Sequence, residues 1–251
     1  SSANGLDVTS EVVSHETTQE ILVFAPDSDG PWPVIWAMHG IDGKAADMAE
    51  IAARLAREGF VVFAPNFRTD MSTQEGTLDA VRDAECGYRF ARSIAAEHGG
   101  DLDRPVTFLG WSLGASFVLQ GGLTEQIDPS GEFLTCFGEV PRADLVVAAS
   151  GCYYEFEDAQ FDFDPSGWGN KDAAVVLIAG DEDTVCAAWQ SEDAVVALRA
   201  AGYDVELEML EGADHFAPIS HDLVDGELVA TPGDAAGEQV VEVILASITA
   251  Q

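Results

Sequence analysis

Five residues, Gly110-Trp111-Ser112-Leu113-Gly114, carry the spacing that an activated serine needs. The apolar run before them, from Val106, reads as a buried strand, and the small residues after them read as a helix start. A serine on so sharp a strand-to-helix turn projects its hydroxyl above the sheet. The flanking glycines leave room for the neighbouring strand and helix. The helix N-terminus aims its dipole and free N–H groups at the place where negative charge would develop. The chemistry such a serine performs is attack on an acyl carbonyl. A Gly-rich structural turn has the same five letters; the strand before and the helix after raise the pattern above it.

A serine hydroxyl is a weak nucleophile until a base takes its proton. Of the five histidines, His215 follows the last strand of the pattern and is the expected base, with His221 the fallback. His39 ends the first buried strand and is expected in the oxyanion loop. His15 falls in an N-terminal strand pair, and His98 at a helix C-terminus, a favourable place for a cation. The base needs an acid on its far ring nitrogen to fix the tautomer and stabilise the imidazolium. Asp183, in Gly180-Asp181-Glu182-Asp183, is the favoured acid, with Asp181 and Glu182 close enough to be confused with it. Asp214 adjoins His215, but neighbours in sequence usually point apart. An oxyanion needs two backbone N–H donors. Leu113 N–H, directly after the serine, supplies one; Ile41 N–H, in the His39-Gly40-Ile41 turn, supplies the other.

These residues need a scaffold that brings them to one rim. Residues 6–14 and 18–24 read as an antiparallel strand pair. Buried strands are expected at 33–38, 60–65 and 106–111, then at 143–149, 173–179 and 205–210. Helices are expected at 45–58, 77–98, 113–121, 187–201 and 234–248. Residues 124–141 read as an inserted excursion, 151–170 as a loop or small lid, and the stretch after Gly212 as a long loop. Alternating strands and helices give an α/β fold with a mostly parallel sheet and helices on both faces. In such sheets the site lies beyond the carboxyl ends of the strands, where Ile41, Ser112, Asp183 and His215 all fall.

The 251 residues suit one large α/β domain over 1–251, with a small lid or loop excursion at about 151–170. No apolar run approaches the roughly 20 residues of a membrane-spanning helix. The formal net charge is −34, which argues against nucleic acid and anionic membrane surfaces as partners. Such acidity fits a surface adapted to high salt, or an ordinary acidic extracellular enzyme. The chain begins Ser1-Ser2 without methionine, which suggests a processed mature end, a trimmed chain or a tag remnant. Four cysteines (Cys86, Cys136, Cys152, Cys186) allow two disulfides in an exported protein, in any of three pairings, or four buried thiols. They lack metal-ligand spacing, so no metal is expected. The expected location is secreted or cell-exterior; the alternative is the cytoplasm of a salt-adapted organism.

Together, His39-Gly40, Gly110-Trp111-Ser112-Leu113-Gly114, Gly180-Asp181-Glu182-Asp183 and Asp214-His215-Phe216 resemble the α/β-hydrolases. The likeness is narrower still to their dienelactone-hydrolase and carboxylesterase branches. The order Ser, Asp, His is that family's order, and the resemblance runs from about residue 20 to the end. Dienelactone hydrolases proper use cysteine as nucleophile; serine here favours ester hydrolysis. The resemblance implies an α/β-hydrolase fold and a two-step acyl-enzyme mechanism on a small-molecule ester, with no cofactor. Thioesterase, peptidase-like, acyltransferase and polyester-hydrolase activities share the fold, as does a ligand-binding module without turnover. Tyr153, Tyr154 and Trp168 either line the substrate pocket or pack the loop onto the sheet. Cys152 and Cys186 each follow a rim strand, and a disulfide between them would brace the acid loop.

Overall fold

Strand β3 (Val34–Met38) is the centre of the structure, and all five of its residues are fully buried. A computed structural model describes residues 5–14, 20–124, 142–154 and 163–249. In chain order β3 is preceded by β1 (Val8–Val13) and β2 (Ile21–Pro26). It is followed by α1 (Ala49–Arg57), β4 (Val61–Pro65), α2 (Gln74–Ile94), β5 (Val106–Trp111) and α3 (Leu113–Leu123). Then come β6 (Leu145–Ala149), β7 (Ala174–Gly180), α4 (Trp189–Ala200) and β8 (Val205–Leu210). A hairpin of β9 (His221–Val224) and β10 (Glu227–Ala230) leads into α5 (Ala235–Thr249).

The described residues form an eight-stranded sheet in the order β1-β2-β4-β3-β5-β6-β7-β8, with β9 and β10 paired separately. Strands β1, β2 and β4 pair antiparallel, and every pairing from β4–β3 to β7–β8 is parallel. Successive side chains of a strand point to opposite faces, so a sheet covered on both sides must be apolar throughout. Val34, Trp36 and Met38 enter one core cluster; Ile35 and Ala37 enter the other. The first cluster takes Ala80, Ala84 and Tyr88 from α2, Phe117 from α3 and Leu198 from α4. The second takes Ile51 and Leu55 from α1 and Val240 and Ile244 from α5. Each fully buried Val, Ile, Leu, Met or Phe among them contributes roughly 1.5–3 kcal/mol over its exposed form.

The expected helix over 45–58 is divided into a 3₁₀ turn, Ala45–Met48, and α1. Two side chains tighten the first turn: Asp47 Oδ2 accepts from Lys44 N–H at 2.8 Å, and Asn66 Oδ1 accepts from Ala45 N–H at 2.6 Å. The second helix starts at Gln74 rather than 77, because Thr73 Oγ1 caps it through Gly76 N–H at 3.0 Å. It gives way to a 3₁₀ turn over Ala95–His98. The expected long loop after Gly212 contains the β9–β10 hairpin, closed at Asp225-Gly226, both with positive φ. Most of the excursion (125–141), the centre of the lid (155–162) and His15 lie outside the described residues. No described helix is long and apolar enough to cross a membrane.

Candidate active site

Ser112 joins β5 to α3 in a conformation that L-residues avoid, φ 57° and ψ −121°. Holding a non-glycine residue there costs roughly 1–3 kcal/mol, so the surroundings must enforce it. They do so by close packing: a Cβ on Gly114 would overlap the carbonyl oxygens of Met38 and His39, and one on Gly110 would overlap Gly114. Ser112 N–H donates to Ala149 O across to β6 at 3.0 Å. The hydroxyl therefore stands at the head of α3, where Leu113 is the first helical residue and its N–H has no partner within the helix.

Asp183 follows β7 and His215 follows β8, and both are buried. His215 Nδ1 meets Asp183 Oδ2 at 2.8 Å. A carboxylate only accepts, so Nδ1 carries the proton and Nε2 is left with its lone pair. The other oxygen, Oδ1, accepts from Val185 N–H at 2.9 Å and Cys186 N–H at 2.8 Å, which fixes the carboxylate plane. The competing acids are occupied elsewhere. Asp181 Oδ1 accepts from Gly212 N–H at 2.7 Å, and Asp214 Oδ1 accepts from Phe216 and Ala217 N–H at 2.9 and 3.0 Å. Glu182 is exposed. His221 opens β9 with Nδ1 on Ile219 O at 2.9 Å. Among the described residues no hydrogen bond joins Ser112 Oγ to His215 Nε2. Catalytic hydrogen bonds are often open before substrate arrives.

The loop after β3 lies against the serine: a Cβ on Gly40 would stand 2.9 Å from Ser112 Cβ. His39 organises this loop. Its ring is fully buried and stacked on Phe67, centroids 4.0 Å apart. Burial pushes its pKa down to about 4, against smaller upward pulls from the Gly40 carbonyl and Asp47. The neutral ring has one donor and one acceptor. Phe67 N–H points at Nε2 from 3.4 Å, so Nδ1 carries the proton and donates to Gly40 O at 2.8 Å. Gly40 O also accepts from Gly43 N–H at 3.2 Å. Because the peptide is planar, fixing Gly40 C=O fixes the opposite direction of Ile41 N–H.

Cys152 and Cys186 form a disulfide with Cα atoms 4.9 Å apart, tying the segment after β6 to the acid loop. Cys86 is also disulfide-bonded. The three aromatic residues expected at the pocket divide. Tyr153 is buried, and its ring and that of the half-buried Trp168 pack on Phe163 at 5.2 and 5.6 Å. Tyr154 keeps a half-buried ring, stacked on Trp189 at 6.0 Å. Trp189 is 49 % exposed; with Ile41 (40 %) and Val185 (48 %) it leaves apolar surface on segments beyond strand carboxyl ends. The sequence reading passed over Trp189, although a tryptophan near the N-terminus of a rim helix is a visible signal.

The model of the dienelactone hydrolase family matches residues 20–84, from the approach to β2 to the middle of α2. That match includes His39-Gly40 and stops before Ser112. No curated protein sequence matches the chain. Among solved structures, a truncated carbohydrate esterase from gut microbiota superposes with TM-score 0.72 at 19 % identity, covering 99 % of this chain and 97 % of that one. Esterase B from Lactobacillus rhamnosis superposes with TM-score 0.74 at 16 % identity, covering 97 % and 86 %. A thermophilic esterase from the Planctomycetes species Thermogutta terrifontis, with butyrate bound, gives 0.69 at 16 %, covering 96 % and 93 %. Likeness at this level shows the fold, which is that of the α/β-hydrolases.

Proposed function

We propose that this chain, an α/β-hydrolase by fold, is a serine hydrolase that cleaves carboxylic esters through an acyl-enzyme. The observation that carries the reading is the buried His215–Asp183 pair, 2.8 Å apart, on the same rim as a serine in a strained elbow. Asp183 holds His215 in the tautomer whose Nε2 can accept a proton. Ser112 Oγ gives its proton to Nε2 and attacks the carbonyl carbon. The oxyanion that forms is received by the N–H groups of Ile41 and Leu113, at the head of α3. The imidazolium, stabilised by Asp183, then protonates the leaving alkoxide. Water repeats the sequence on the acyl-enzyme and restores Ser112.

The match to the dienelactone hydrolase family and the likeness to esterases support an ester as substrate. One such neighbour binds butyrate and another was inhibited by a tributyrin phosphonate, so short acyl chains are the first to try. Polyesters, thioesters and peptides present the same carbonyl and are the competing substrates. The disulfides support an oxidising location, secreted or at the cell exterior. The test is hydrolysis of p-nitrophenyl acetate, butyrate, octanoate and palmitate by the native chain and by Ser112→Ala, in low and high salt. Turnover of the short esters, lost in Ser112→Ala, is the expected result. Binding of esters without turnover by the native chain would instead make it a ligand-binding module.

A further inference from the structure

Trp111 makes contacts that the elbow motif does not require. Its indole N–H donates to the backbone carbonyl of His215 at 2.7 Å, in a buried setting. Its ring centroid lies 5.3 Å from the His215 imidazole and 5.7 Å from Phe216. The far edge of the ring also covers Gly40, where a Cβ would stand 2.9 Å from Trp111 Cζ3. A single side chain, adjacent in sequence to the nucleophile, therefore touches both the base loop and the oxyanion loop.

We propose, resting on Ser112, His215 and Asp183 as the triad, that Trp111 is the positioning residue that sets His215 against Ser112. His215 lies in an irregular stretch between β8 and the 3₁₀ turn Ala217–Ile219. Besides its internal turn bonds, this stretch is tied to two other parts of the site. Three contacts refer it to the acid loop: Gly212 N–H to Asp181 Oδ1 at 2.7 Å, Glu182 N–H to Ala213 O at 3.1 Å, and His215 to Asp183. These fix the base relative to the acid. The bond from Trp111 refers the stretch to the nucleophile, because Trp111 and Ser112 share a peptide bond. Asp214 only shapes the turn that follows. Ser112 and His215 share no hydrogen bond in this structure, so the placement of the loop decides whether one can form on substrate. Misplacing reacting groups by about 1 Å costs on the order of a hundredfold in rate.

The test replaces the indole of Trp111 by benzothiophene, which keeps the shape and removes the N–H donor; Trp111→Phe serves as the genetically simple companion. The expected result with p-nitrophenyl butyrate is a kcat lower by about ten- to a hundredfold, with KM close to native and a Tm lower by a few degrees, since the buried His215 carbonyl loses its donor. Crystal structures of the native and benzothienyl proteins should show the Ser112 Oγ to His215 Nε2 separation increased and the His215–Asp183 contact retained. A kcat within twofold of native, or a separation that does not change, would overturn the proposal. Should the native chain turn over no ester, the esterase reading fails, and the crystallographic comparison alone decides the role of Trp111.

Discussion

Protonating His39 is predicted to destabilise the fold, and the size of the effect follows from its burial. The neutral ring is fully buried, accepts from Phe67 N–H and donates to Gly40 O. Its pKa is about 4 in the fold against 6.5 for the free side chain. Between these values the unfolded chain binds a proton that the native chain does not, so stability must fall as pH falls. The stability that a neutral His39 contributes is whole above about pH 6.5 and is lost progressively on going down to about pH 4. The full shift corresponds to about 3 kcal/mol, most of it already lost by pH 4.5. Carboxylates titrate in the same range, so the measurement is a difference. Urea unfolding of the native chain and of His39→Asn, followed from pH 7.5 to 4.5, isolates the histidine. Asparagine can keep a donor near the Nδ1 position and cannot titrate. The native chain should lose about 2–3 kcal/mol more than His39→Asn over that range. Parallel losses in the two proteins would refute the claim that burial holds His39 neutral.

Three further outcomes are expected. Asp183→Asn should leave the fold intact and lower kcat on short esters by roughly 10³–10⁴, because the amide no longer holds the tautomer that Ser112 needs; pre-steady-state kinetics with p-nitrophenyl butyrate measures it. Gly114→Ala should destabilise by at least ~2 kcal/mol in urea unfolding, since the Met38 and His39 carbonyls occupy the place of the new methyl group. Replacing Cys152 and Cys186 by serine opens a link spanning 34 residues, worth about 4 kcal/mol on the chain-entropy model, and should lower kcat because Cys186 N–H holds Asp183.

The parts of the site that depend on local pattern were legible in the sequence. The serine elbow has a spacing dictated by how closely backbone passes backbone at Gly110 and Gly114. The buried strands announced themselves as uninterrupted apolar runs. Hidden parts depended on contacts between distant residues. Nothing near Trp111 in sequence indicates that its N–H meets a carbonyl 104 residues away. Asp181, Asp183 and Asp214 differ in which group each oxygen faces, and that is a property of the folded loops. Tyr153 and Tyr154 are neighbours of the same type, yet one is buried and the other turns to Trp189. The hairpin after His215 was a different kind of miss. Asp225-Gly226 between two short apolar pairs is a turn signal with a stated mechanism, and the acidic residues around it masked the alternation.

Covalent labelling tests the central claim most directly. The native chain would be treated with a fluorophosphonate at neutral pH and digested, and the modified peptide identified by mass spectrometry. The account predicts a single adduct on Ser112, absent in Ser112→Ala and formed far more slowly in His215→Asn. An unmodified Ser112 in folded protein, or ester turnover that survives Ser112→Ala, would contradict it.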